Sequence, residues 1–180
     1  MSVIYLIHGI KAHSNYKLPT ENNLEYYPLD PHLTEDGIIE AKTKFTILIE
    51  THHIPVKIIS SPYLRTRQTA KVAQDVIYES TGNLVEIVID NQFSEFLNRK
   101  KYSKTLVSDF HPDTYVHYPK KPEYFNQFKR RMEKHCKELS EKNVWIITHG
   151  FNIQTISSCI GKQISYPNEV SGFKLENNEI

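Results

Sequence analysis

Residues 56–70 read VKIISSPYLRTRQTA. The run VKII at 56–59 is short and rich in β-branched residues, which marks a buried strand. Ser60, Ser61 and Pro62 turn the chain, and a helical pattern opens around Arg65 and Thr66. An arginine and the free N–H groups of a helix's first turn are thereby set beside a strand end, the geometry of an anion site. Arg67, on the same helix, reads as part of a solvated face.

The same alternation runs outward along the chain. Residues 3–7 (VIYLI), 85–89 (VEIVI) and 144–147 (VWII) are three further strand candidates, and 171–175 (SGFKL) looks like a last strand. Helical patterns lie between them. Thr34 is placed to cap a helix with Ile38, Ala41, Phe45 and Leu48 on one face, and Glu35 and Asp36 fall in its first turn, where the dipole favours acids. Ala70, Ala73, Val76 and Ile77 form a second stripe, and Phe125, Phe128, Met132 and Leu139 a third over residues 123–141. Strands alternating with helices predict an α/β fold: a mostly parallel central sheet flanked by helices on both faces. The whole span 1–180 is expected to be one domain. Residues 10–33 and 98–122 are rich in proline and aromatics and read as long loops, natural walls for a cleft at the strands' C-terminal ends.

Composition narrows the function classes. Lys+Arg is 22 against Asp+Glu 21, so no global field favours nucleic acid or an anionic membrane. No apolar run approaches the ~20 residues that span a bilayer, and no signal peptide is expected at the N-terminus. Cys136 and Cys159 lack metal or disulfide spacing and read as free thiols, which points to a reducing, cytoplasmic setting. The basic residues Lys129, Arg130, Arg131, Lys134 and Lys137 read as a solvated helix face.

Two strand candidates end alike. His8-Gly9 follows VIYLI, and His149-Gly150 follows VWIIT. A histidine at the C-terminal end of a parallel strand faces the crevice where ligands bind, and the glycine lets backbone and ligand approach closely. Glu95, between Phe93 and Phe96 after the strand at 85–89, is a candidate general acid.

In this order, these residues resemble the histidine phosphatase (phosphoglycerate mutase-like) superfamily. Its RHG motif corresponds to Ile7-His8-Gly9, its helix-opening motif to Leu33-Thr34-Glu35-Asp36-Gly37, and its SSPxxRTxQTA signature is complete over 60–70. Glu95 within FSEF, the Phe110-His111-Pro112 loop and the final SGFKL look most like the branch containing the Sts phosphatase domains and the phosphatase-like subunit of yeast TFIIIC. The resemblance implies that His8 is the nucleophile and forms phosphohistidine. Glu95 would then be the acid, His149 and Arg65 would hold the phosphoryl oxygens, and Gly9, Gly150 and Lys11 would lie against the substrate. It implies no metal and no cofactor, and the adjacent His52 and His53 read as partners of a helix terminus.

One position departs from the family. Ile7 stands where the family has arginine, and an alkyl side chain donates nothing to a phosphate. Lys11, four positions on, is the candidate replacement, acting as a point charge where arginine is a fork. Two functions stay open: a phosphomonoesterase of reduced or specialised activity, and a pseudophosphatase serving as a binding or assembly module. The expected partners are a phosphorylated small molecule or phosphoprotein, with a protein partner or homodimer also open. Nucleic acid and a nuclear location are expected only within a larger transcription complex. An α/β-hydrolase also opens with strand-His-Gly, but no serine here is flanked as Gly-x-Ser-x-Gly.

Overall fold

Four parallel strands set the frame. The computed structural model describes residues 3–8, 27, 29–117, 119–138, 143–168 and 170–176. The strands are β1 (Val3–His8), β2 (Lys57–Ser60), β3 (Glu86–Ile89), β4 (Val144–Thr148) and β5 (Gly172–Glu176). They form one sheet in the order β3-β2-β4-β1-β5, with β5 antiparallel to β1 and the rest parallel. The helices are α1 (Glu35–Thr51), α2 (Leu64–Thr81), α3 (Pro112–Val116), α4 (Phe125–Glu138) and α5 (Gly150–Cys159). None of the described helices is long and apolar enough to cross a membrane.

The sheet is covered on both faces, as the continuous apolar reading of its strands requires. Period-two alternation divides β2 and β4 between two cores. Ile58 and Trp145, partners in register, lie with Ile147 against Ala41 and Phe45 of α1 and Ala70, Ala73 and Ile77 of α2. Ile59 and Ile146, also partners, lie against Phe128 and Met132 of α4 and Ile153 and Ile156 of α5. All five residues of β4 are buried.

Register aligns the strand ends. His8 pairs with Thr148, Ile147 with Ser60, and Ser60 with Ile89. The C-terminal ends of β1, β4, β2 and β3 therefore stand along one edge of the sheet, where an α/β fold binds its ligands.

The helix boundaries have local causes. Thr34 caps α1, its side chain accepting from the Gly37 N–H at 3.0 Å. The second helix begins at Leu64, earlier than the sequence pattern, because its first N–H donates to the Asp30 carboxylate at 2.7 Å. The third stripe is corrected at Phe125. It is 51% exposed, since it stands at the first turn of α4, at the rim of an aromatic cluster with Phe96, Phe128 and Phe151. Leu139 lies outside the described residues. The expected loop at 98–122 contains α3 and a short 3₁₀ turn at Val107–Asp109.

Phe45 and Trp145 are both fully buried and stack with centroids 5.8 Å apart. Phe45→Ala should cost about 3–5 kcal/mol of stability in urea unfolding. A loss below about 1 kcal/mol would show that this core layer collapses around the cavity.

Candidate functional site

The turn after β2 is built by its own hydroxyls. The Ser61 N–H donates to Ile147 O at 2.9 Å, continuing the ladder one step past the strand. Thr66 Oγ1 donates to Ser61 O (3.0 Å) and Tyr63 O (2.8 Å), closing the Ser-Pro turn onto the first turn of α2. Gln68 accepts from the Leu33 N–H at 2.7 Å, which ties the start of α1 to α2. The serine, threonine and glutamine of the 60–70 signature are thus the parts that fix where Arg65 stands.

Arg65 is 6% exposed and has partners from four segments. It forms an ion pair with Glu95 through Nη2, and the same Nη2 donates to His149 Nδ1 at 3.2 Å. Nη1 faces Leu29 O at 3.4 Å and Asp30 Oδ1 at 3.7 Å. The guanidinium also lies 4.8 Å over the Tyr63 ring. Arginine has no acceptor, so His149 Nδ1 is the unprotonated nitrogen. The neutral ring then carries its proton on Nε2 and donates to Ser61 Oγ at 2.8 Å. Tyr63 packs edge-on against His149, with centroids 4.9 Å apart. Burial pushes its hydroxyl well above the usual phenol range, helped by the nearby Glu95 charge, so the phenol stays neutral.

Glu95 follows a 3₁₀ turn at Asn91–Phe93, which Asp90 caps from the end of β3. The segment is tied to β4 and α5. Thr148 Oγ1 donates to Phe93 O at 3.0 Å, and Asn152 Nδ2 donates to Phe93 O (2.9 Å) and Ser94 O (3.1 Å). The carboxylate side chain remains 29% exposed. Three expected residues, Arg65, Glu95 and His149, therefore meet at one point.

His8 ends β1 beside Thr148, next in the chain to His149, and Ile7 pairs with Ile147. Their side chains lie outside the description, and Gly9 and Lys11 lie outside the described residues. Gly150 opens α5, and a Cβ there would run into the ring of Tyr166. The close approach that this glycine permits is that of Tyr166.

Two basic residues expected in solvent are not there. Arg67 is half-buried and donates to Thr114 Oγ1 at 3.4 Å, and burial lowers its guanidinium below the ordinary value. Arg131, read as part of a solvated run, is 9% exposed at its side chain and holds Glu123, Gln92 O and Ser94 O. The sequence reading also passed over Asp30, which is fully buried. It accepts from Leu64, 34 residues away, and from the His111 N–H, 81 residues away. No local spacing announces contacts at such range.

Phe110 meets Tyr63 edge-on with centroids 5.7 Å apart. With Tyr102, Tyr115, Lys120 and Lys121 it lines a cavity of about 340 Å³. Among the described residues no group of His, Cys, Asp and Glu could hold a metal ion. His52 caps the end of α1, and both it and His53 are exposed.

A buried arginine in the first turn of α2, held by two acids and a histidine beside the edge where the parallel strands end, marks the centre of an α/β fold. The sequence model of the histidine phosphatase superfamily (branch 1) matches residues 19–177. The chain belongs to that superfamily. The matched span begins after His8. Solved structures agree in fold: phosphoglycerate mutase from Bacillus anthracis (TM-score 0.64, 16% identity, covering 96% of this chain and 86% of that one). A mycobacterial glucosyl-3-phosphoglycerate phosphatase gives TM-score 0.54 and 17% identity over 88% of this chain and 79% of its own. TTHB049 from Thermus thermophilus gives TM-score 0.56 and 16% identity over 94% and 97%. No curated protein matches by sequence.

Asp30→Ala would strand the N–H groups of Leu64 and His111, and should cost about 1–3 kcal/mol in urea unfolding. A change under about 0.5 kcal/mol would mean water replaces the carboxylate.

Asp90 gives a pH signature. Burial pushes its carboxyl up, but hydrogen bonds from His135 (2.7 Å) and the Gln92 N–H outweigh burial and leave it below its ordinary value. Its folded-state value thus lies below the unfolded ~3.9. The linked stability is complete above that value and is lost as pH falls through the folded one. In urea midpoints measured from about pH 6 to pH 3, Asp90→Asn should start lower than wild type and fall less steeply. Parallel curves would show that Asp90 contributes nothing to the acid limb.

Proposed function

We propose that the chain is a metal-independent phosphomonoesterase working through a phosphohistidine on His8. The observation that carries this reading is the meeting of Arg65, His149 and Glu95 at the strand edge where β1 delivers His8. In the proposed cycle a His8 ring nitrogen attacks phosphorus as the bond to the leaving oxygen breaks. Glu95 gives that oxygen a proton. Water then attacks the phosphohistidine, Glu95 takes a proton back, and inorganic phosphate leaves. Arg65 and His149 hold the equatorial oxygens, where negative charge accumulates. The phosphoryl group competes with Glu95 for Arg65, which frees the carboxyl for acid–base work. Lys11 supplies charge from the segment after β1, and Gly9 gives the phosphoryl group room, while the space beside Gly150 is taken by Tyr166. The substrate is a phosphorylated small molecule or phosphoprotein, and its organic part faces the cavity floored by Phe110.

Ile7 favours a second reading, in which the fold is kept as a binding or assembly module with little turnover, as in the TFIIIC-like branch that the FSEF and SGFKL segments resemble.

Hydrolysis of an aryl phosphate separates the two. Wild type should turn over, His8→Ala should abolish turnover, and Ile7→Arg should raise it on the order of 10²–10³-fold, the value of one transition-state donor. Activity surviving His8→Ala would sink the phosphohistidine route. A silent wild type rescued by Ile7→Arg would establish the module reading.

A further inference from the structure

Arg131 contacts none of the proposed reacting groups, yet its guanidinium is spent on the segment that bears Glu95. From α4, Nη1 donates to Gln92 O and, at 3.4 Å, to Ser94 O. Nη2 donates to Ser94 O at 3.4 Å and pairs with Glu123, which also accepts from Nε at 3.4 Å. The far face of the guanidinium rests 5.1 Å over the Phe128 ring in the core beneath.

The pair with Glu123 matters because of what Glu123 does with its backbone. Its N–H donates to Leu97 O at 2.9 Å, and its carbonyl accepts from the Arg99 N–H at 2.9 Å. One guanidinium therefore grips the chain before Glu95 directly, at 92 and 94, and the chain after it through Glu123, at 97 and 99. Only a planar fork with five donors serves both sides at once, and an ammonium cannot. The other side-chain and loop hydrogen bonds to this segment, from Thr148, from Asn152 and from the Lys120 N–H to Ser94 Oγ (3.0 Å), fall on the upstream side.

We infer that Arg131 is a positioning residue for Glu95, setting where the carboxyl stands relative to the leaving oxygen. The inference rests on the proposed phosphatase reaction. It goes beyond that reaction by giving a role to a residue from a basic run that reads as ordinary surface.

The test uses leaving-group dependence, which loss of stability alone does not change. A general acid matters when the leaving oxygen is a poor leaving group and matters little when it departs unprotonated. kcat/KM is measured for phenyl phosphate and for 2,4-dinitrophenyl phosphate, well below each variant's unfolding temperature. Arg131→Met should lower the phenyl phosphate value by roughly 10–10²-fold, within the range of general-acid effects. It should leave the dinitrophenyl value within about threefold, as expected where proton donation is not needed. Arg131→Lys should not restore the loss, and Glu123→Gln, a gentler opening of the same clamp, should show the same selectivity. In a Glu95→Gln background, Arg131→Met should add nothing further. Equal losses on both substrates, or an additive effect over Glu95→Gln, would overturn the inference while leaving the phosphatase reading intact. A wild type inactive on both substrates would sink the reading and the inference with it.

Discussion

A guanidinium buried at a strand end is expensive unless its donors are matched, and the matching of Arg65 organises the rest of the site. Its acceptors come from the chain before α1, from the loop after β3 and from the end of β4. Three chain segments distant in sequence must therefore arrive together for one charge to be tolerated. Asp30 shows how tightly this is joined. The carboxylate facing Arg65 also satisfies the first N–H of α2 and the His111 N–H. Placement of the helix, of the arginine on it and of the wall formed by residues 98–122 thus depends on one buried carboxylate.

The frame was legible because its signals are local. Short β-branched runs marked four of the five strands, and SGFKL marked the fifth. Thr34 announced its cap, and the 60–70 signature announced the anion corner. Arg65, Glu95 and His149 were readable because each lies within a few residues of a strand end, where the α/β fold focuses chemistry. Asp30 and Arg131 were not, because Asp30 reaches across 34 and 81 residues and Arg131 reaches Gln92 across 39 from a run that looks like ordinary surface. Phe125 departs from its stripe for a related reason. Helical periodicity identifies a face but does not say how far along that face a neighbour extends.

The interior of the site is also more interlocked than a list of site residues implies. Thr148 and Asn152 bind the backbone just before Glu95 to the strand and helix that flank His149. The proposed acid and the proposed phosphoryl-holding histidine are therefore fixed to each other through short, buried hydrogen bonds. A displacement of either segment is felt by the other, because close-packed surroundings transmit strain.

Charge sets the last constraint. Around the described centre one guanidinium faces two carboxylates, Asp30 and Glu95, and the arginine-bound His149 is neutral. That balance repels a phosphoryl dianion. Asp30 is fully buried and serves the fold through two backbone N–H groups, so it stays. Glu95 is the more exposed acid and the one a dianion can displace from Arg65. Even then, one arginine only balances Asp30, and a net positive field has to come from the chain after β1. In the family an arginine at the position of Ile7 supplies it; here the nearest cation in sequence is Lys11. In the proposed reaction, turnover therefore hinges less on the buried corner, which is built, than on the charge that Lys11 is proposed to bring to it as a phosphate arrives.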